Sequence, residues 1–498
     1  MSLALVHSRA RAGADAPPVR VEVHLSGGLP ATQIVGLPET TVRESRERVR
    51  AALLCARFDY PQRRITINLG PADLPKEGGR FDLAIAMGIL AASGQLDPQQ
   101  VARHEYVAEL APSGELRPVD GVLPAAIAAA EANRTLFVPP ANAAEAALAE
   151  HADVRVARTL LEVCASVENP SRLPRAERAS IEADPPLDLT DVRGQPHARR
   201  ALEVAAAGGH HLLLIGSPGC GKTLLASRLA GILPEASQAE ALQSAAIASI
   251  SGSGLDPRRW RQRPFRAPHH SASPAALAGG GNPPHPGEIS LAHNGVLFLD
   301  ELPEWSRMAL EILREPLESG HIRISRAARS AVFPARFQLV TAMNPCPCGW
   351  AGDRSNRCLC TSERIQRYRG RVSGPLLDRI DLHVTVTRLS PEELREGAPS
   401  GECSTDVRAR VIAARERQLR RGALNAHMDS KALRLCAHLS EADQNLLEQA
   451  IERLQLSARA MHRILRVART IADLAGCDGI DTAHLAEAIS YRQLDRGT

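Results

Sequence analysis

Apolar positions along this chain fall into three kinds of run. Short, mainly apolar runs, Leu212-Leu213-Leu214-Ile215, Val296-Leu297-Phe298-Leu299 and Phe337 to Met343, have the length of strands buried on both faces of a parallel sheet. Alternating runs, Val19 to Val23 and Arg64 to Leu69, predict strands with one face in a core. Helical composition marks Leu224 to Ala230 and the alanine-rich Ala125 to Ala132, and from Pro391 to Arg496 the sequence turns helical and charged. Proline and charge interrupt all periodicity between Ser166 and Leu187. The pattern therefore predicts a multidomain α/β protein: an α/β or α+β domain over 1–168, a linker over 169–187, an α/β core over 188–390 and a helical domain over 391–498.

Chemistry enters at the first buried run. Gly216-Ser217-Pro218-Gly219-Cys220-Gly221-Lys222-Thr223 fits the phosphate-loop pattern G-x-x-x-x-G-K-[ST], between a predicted strand and a predicted helix. Glycines let backbone N–H groups wrap phosphates, the helix N-terminus adds its positive dipole end, Lys222 reaches the outer phosphates and the Thr223 hydroxyl binds Mg²⁺. The ligand class is a nucleoside triphosphate. The second run ends in Asp300-Glu301, which places two carboxylates at a strand terminus. Asp300 is expected to hold the magnesium and Glu301 to polarise the attacking water. The third run ends in Asn344, whose amide can address the γ-phosphate or that water; a plain turn before Pro345 is the alternative. Arg379, in Gly374-Pro375-Leu376-Leu377-Asp378-Arg379, stands at a strand entry, either as a surface ion pair or as a cation entering a neighbouring subunit's site. Arg459 opens a long helix that also carries Arg463, Arg466 and Arg469, so it reads either as a solvated face or as a second cation for the phosphates.

Length and composition narrow the class. A chain of 498 residues needs several cores, and a net charge of +4 permits a nucleic-acid partner without requiring one. No stretch reaches the roughly eighteen apolar residues of a membrane span, and the N-terminus lacks a signal-peptide core, so a cytoplasmic protein with no membrane partner is expected. Ten cysteines in that setting read as free thiols or metal ligands. Four of them, Cys346, Cys348, Cys358 and Cys360, form two C-x-C pairs separated by nine residues, open to either a structural zinc site or free thiols.

Taken in order, the strand, phosphate loop, Asp-Glu strand, Asn strand, Leu-Leu-Asp-Arg segment and helical lid resemble an AAA+ ATPase. The interval carrying Arg263-Pro264-Phe265-Arg266-Ala267-Pro268-His269-His270, Gly279-Gly280-Gly281-Asn282 and Pro286-Gly287-Glu288-Ile289 resembles the magnesium-chelatase-like group of that superfamily. This resemblance implies ATP and Mg²⁺ as cofactors, Asn344 as sensor 1, Arg379 as an arginine finger acting in trans, Arg459 as the sensor-2 arginine, and a homo-hexameric ring. It further implies a DNA helicase or translocase, promoting branch migration in homologous recombination and natural transformation, with single-stranded, double-stranded or branched DNA as partner. A chelatase motor subunit and an AAA+ protein remodeller are the alternatives. His321 to Pro334 predicts a β-hairpin, and the resemblance to AAA+ helicases would make Arg326 and Arg329 channel-lining phosphate contacts; exposed arginines on an edge hairpin read equally well. The five histidines from His269 to His321 lack the i, i+4 spacing of metal ligands and are assigned none. Leu74 to Ile85 resembles the active-site turn of Lon-type proteases, a fold related to ribosomal protein S5. Arg80 stands where that family has its serine, so no nucleophile is present and a binding or assembly module is expected.

Overall fold

The computed structural model describes residues 2–180, 187–251, 254–281, 284–326, 329–353, 357–390, 393, 401–454 and 456–492. The predicted boundary at 390/391 and most of the linker's second half, 181–186, lie outside the described residues.

The N-terminal domain is built on a seven-stranded sheet in the order Ala31–Val35, Arg64–Gly70, Pro18–Ser26, Ser2–Arg9, His104–Tyr106, Thr135–Val138, Val154–Val156. The alternation read in the sequence is the burial pattern: Val19, Val21, Val23, Ile65, Ile67 and Leu69 all point into one core. Helix Asp82–Ala92 lies against this face and is buried along its whole length. Its Gly88 is required by the close approach, since a Cβ there would stand 2.5 Å from a Val23 methyl. The first half of the linker is tied down. Val156 donates to the Pro174 carbonyl and Ala176 to that of Val154, each at 3.0 Å, so residues 174–176 run along the edge strand of the domain.

The second sheet is five-stranded and entirely parallel, ordered Phe265–Arg266, Val296–Leu299, Gln338–Met343, Leu212–Gly216, Leu382–Val386. Its three central strands, Val296–Leu299, Gln338–Met343 and Leu212–Gly216, are buried at every position because both faces are covered. Leu212, Leu214, Val296 and Phe298 enter a core shared with helices Pro196–Gly208 and Lys222–Ile232 and with the C-terminal helices. Leu213, Ile215, Leu297 and Leu299 enter a second core with Trp305, Leu310 and the hairpin residues Ile322, Ile324 and Phe333. The hairpin pairs His321–Arg326 with Arg329–Pro334, and Arg323 is exposed while Ile322 and Ile324 are buried. The side chains of Arg326 and Arg329 lie outside the described residues.

Five helices, Ser404–Arg420, Ser430–Cys436, Glu441–Leu454, Ala458–Leu474 and Thr482–Ser490, form the C-terminal domain. Specific bonds lock it to the core: Ser404 Oγ accepts the Leu189 amide at 2.7 Å, and buried Arg415 donates to the Ala206 carbonyl at 2.9 Å.

The insert between the phosphate loop and the Asp-Glu strand carries the N-terminal domain. Ala236, Ala241, Ala245 and Trp260 of this second domain are buried in one cluster with Val122, Leu123, Ala126 and Ala129 of the N-terminal domain. The Gly121 amide donates to the Ser249 carbonyl at 3.0 Å, and the Ser249 hydroxyl donates to half-buried Glu145, whose carboxyl is pushed up by desolvation.

Candidate nucleotide site

Strand Leu212–Gly216 stops where the glycines begin, and helix Lys222–Ile232 starts six residues later, so the loop sits at the C-terminal edge of the parallel sheet. Gly219 and Gly221 adopt φ of +77° and +92°. A Cβ at either would meet nothing within 4 Å, which leaves their backbone open toward a ligand. Gly216 is tight for the opposite reason: a Cβ there would lie 2.4 Å from the Val386 carbonyl oxygen. The Lys222 ammonium donates to the carbonyls of Gly216 at 2.8 Å and Ser217 at 3.1 Å and to Asn344 Oδ1 at 3.1 Å. One hydrogen bond therefore joins the loop lysine to the residue at the end of the neighbouring strand. Cys220, within the loop, is buried, and burial pushes its thiol up.

Thr223 Oγ1 donates to Asp300 Oδ2 at 2.7 Å. A hydroxyl and a carboxylate in contact beside a phosphate loop are the oxygen donors magnesium takes, so the residues fit that ion. Asp300 also accepts the Glu301 amide at 2.8 Å, and the Trp305 indole donates to its carbonyl at 2.9 Å. These bonds hold Glu301 at φ +50°, a left-handed conformation that a non-glycine residue adopts at some cost. Its carboxylate is half exposed, with His270 Nδ1 3.0 Å from Oε2. His270 is the residue the sequence reading passed over as part of a solvated insert. The Arg-Ala-Pro-His-His stretch was visible, but the 31-residue separation from Glu301 hid the contact.

Arg379 lies at the other end of the sheet. Strand Leu382–Val386 runs parallel to Leu212–Gly216, with Leu382 opposite Leu212 and Val386 opposite Gly216. Four steps at about 3.3 Å each separate the two sheet edges by about 13 Å, and Arg379 precedes Leu382. Its guanidinium is buried, donates to the Pro375 carbonyl at 2.6 Å and pairs with Glu318. Arg459 is exposed at the start of helix Ala458–Leu474 and lines the same pocket, of about 200 Å³, as Arg379, His462, Arg463 and Arg466. The structure thus brings Lys222, Thr223, Asp300, Glu301 and Asn344 together at one edge of the sheet, and Arg379 with Arg459 at the other. Beneath the arginines, Arg463 bridges lid and core: it donates to the Arg379 carbonyl at 2.9 Å and to Asp381 Oδ1 at 2.5 Å.

The four-cysteine loop follows Asn344 directly. Cys346 Sγ is 3.3 Å from Cys348 Sγ and 3.7 Å from Cys358 Sγ, and all four sulfurs lie within 4.8 Å of one another. Between the pairs the chain closes over the phosphate loop. A Cβ on Gly349, at φ +84°, would stand 2.5 Å from Pro218 Cδ. In the N-terminal domain, Arg80 is buried beside the Gly121 carbonyl, and burial lowers its guanidinium to about 10.

A parallel sheet of this order, with a phosphate loop, an acidic pair and a helical lid, defines an AAA+ ATPase core of the magnesium-chelatase type. Residues 188–394 match the family described as magnesium chelatase, subunit ChlI, residues 21–142 the family described as subunit ChlI of Mg-chelatase, and residues 401–492 the ChlI C-terminal family. The chain is 52% identical to the competence protein ComM of Haemophilus influenzae, with 100% of this chain and 98% of that protein aligned. It is 51% identical to YifB of Escherichia coli over the same shares. Against the magnesium-chelatase 67 kDa subunit of Chlorobaculum parvum it is 28% identical, over 32% of this chain and 23% of that protein. This chain belongs to the magnesium-chelatase-like ComM/YifB family. Among the described residues no helix is long and apolar enough to cross a membrane.

Proposed function

We propose that this protein is an ATP-driven ring, a homo-hexamer, that moves DNA and promotes branch migration in homologous recombination during natural transformation. The observation that carries the ring is the division of catalytic groups between opposite sheet edges. Arg379 and Arg459 stand about 13 Å or more from their own phosphate loop, measured along the strands, so they serve the site of a neighbouring subunit. Each active site is then composite: loop and acids from one chain, arginines from the next.

Within that site the backbone of Gly219 to Thr223 cradles the phosphates, and Lys222 leaves the loop carbonyls to meet the outer oxygens. Magnesium held by Thr223 and Asp300 would neutralise charge on the β- and γ-phosphates. Glu301 accepts a proton from, or orients, the attacking water, with His270 Nδ1 3.0 Å from its carboxylate to help direct it. Asn344 positions the γ-phosphate, and Arg379 from the neighbour stabilises charge in the transition state.

The DNA reading rests on the similarity to ComM and on the hairpin at His321–Pro334, which offers exposed Arg323 and, at its tip, the pair Arg326 and Arg329. Basic side chains lining a channel give sequence-independent, salt-sensitive binding. The test is ATP turnover by the full-length protein with and without branched DNA, together with migration of a synthetic four-way junction. Stimulation by DNA and ATP-dependent movement of the junction are expected. ATPase activity indifferent to DNA, with no junction movement, rejects the motor and leaves the chelatase-subunit or protein-remodeller reading in its place.

A further inference from the structure

We propose that Cys346, Cys348, Cys358 and Cys360 bind one structural Zn²⁺ that clamps the phosphate loop, making nucleotide affinity dependent on the metal. The clamp half of the proposal rests on the phosphate loop's role in binding nucleotide; the zinc half does not.

Geometry argues for the metal. Zn–S bonds of about 2.3 Å in a tetrahedron set sulfurs about 3.8 Å apart. The observed separations are 3.3, 3.7 and 3.7 Å, with every sulfur within 4.8 Å of every other. A disulfide would require about 2.0 Å. The surroundings also suit a thiolate cluster. The backbone amide of Ala351 donates to Cys346 Sγ at 3.3 Å, the kind of bond that stabilises metal-bound sulfur. Binding to four thiols releases four protons and leaves a site of net charge −2. Basic side chains border the loop: Arg357 and Arg388 lie 5.3 and 5.5 Å from the Trp350 ring, and the Arg369 guanidinium donates to the Pro345 carbonyl.

The clamp follows from where the site is anchored. Cys346 is two residues from Asn344, which accepts the Lys222 ammonium, and Gly349 lies against Pro218 of the phosphate loop. Tying Cys346–Cys348 to Cys358–Cys360 therefore fixes one wall of the nucleotide site.

Full-length protein purified under reducing conditions is expected to contain one zinc per chain by elemental mass spectrometry. Four thiols should resist a colorimetric thiol reagent until an organomercurial releases the metal. Zinc-free protein carrying four freely titratable extra thiols overturns the site. Cys346→Ser and Cys358→Ser should each lose the metal, and where a variant fails to fold, stripping zinc from the wild type supplies the same arm. Fluorescent ADP should bind about tenfold more weakly after stripping and recover when Zn²⁺ is restored. Unchanged affinity in stripped, folded protein overturns the clamp. Lys222→Ala serves as the separating control: it should lose nucleotide affinity while retaining one zinc, so failure of the nucleotide reading looks different from failure of the metal site.

Discussion

Arg463→Ala should loosen the lid from the ATPase core by a predictable amount. Asp381 is 3% exposed and accepts the Arg463 guanidinium at 2.5 Å and the His211 amide at 2.9 Å. Removing the cation strands a buried carboxylate, a change that costs about 3–5 kcal/mol. Arg463 keeps a side-chain exposure of 19%, so water reaches one side of the pair and about 3 kcal/mol is the expected figure. With a urea slope of about 3 kcal/mol per molar, the midpoint should fall by about 1 M. The chain's three tryptophans, Trp260, Trp305 and Trp350, all lie in the ATPase core, so their fluorescence follows that unfolding step. Asp381→Asn removes the charge that would be stranded, and in that background Arg463→Ala should cost about 1 kcal/mol or less. Equal cost in both backgrounds refutes the assigned pairing. The pH dependence has a definite sign. Burial pushes Asp381 up, but the Arg463 charge and the His210 ring 3.6 Å away outweigh it and hold the carboxyl well below its usual range. The pair's contribution is therefore complete above the unfolded value of about 4 and fades as pH falls through the folded one, so wild type and variant should converge in acid.

Four further outcomes are expected. Lys222→Ala should lower ATP turnover at least about 100-fold while the N-terminal domain keeps its circular dichroism and protease resistance; surviving turnover contradicts the site. Arg379→Ala should lose activity on a similar scale, yet mixing it with Lys222→Ala subunits should restore part of the turnover, because mixed rings contain intact composite sites; no recovery in rings shown to be mixed argues against action in trans. Gly349→Ala, forced to φ +84° against Pro218, should lose about 2 kcal/mol of thermal stability and bind nucleotide more weakly, as read by calorimetry; a neutral result removes the close packing from the account. His270→Ala should cut turnover about three- to tenfold with nucleotide affinity unchanged, and a change in affinity alone assigns His270 to binding rather than to Glu301.

That Lys222, Thr223, Asp300, Glu301 and Asn344 gather at one edge of the sheet was readable because the information is local. A strand, a glycine-rich turn and a helix are contiguous in Leu212 to Ile232, and Asp300 and Asn344 each close an apolar run whose burial the composition announces. What depends on the meeting of distant segments was not. His270 meets Glu301 across an insert with no periodic pattern, and the alanine faces of Val122–Glu131 and Gln238–Ser249 carry no mark of mutual recognition. Arg379 and Arg459 were singled out individually, but their common pocket is set by how the lid docks through Arg463 and Ser404. The cysteine spacing likewise left metal and free thiols open, since only three-dimensional proximity separates them.

The shared core between the two domains bears on truncation. Cutting away residues 1–168 would not liberate a clean ATPase core. It would bare Ala236, Ala241, Ala245 and Trp260 to water and orphan the Arg178 side chain that covers the Trp260 ring. Such a fragment should be sticky, and poor solubility in it would say nothing about whether the ATPase core needs its N-terminal half to turn over ATP. If ATP turnover drives movement as proposed, the same buried contact ties the N-terminal domain to the moving core, so any grip that domain has on a partner would travel with it.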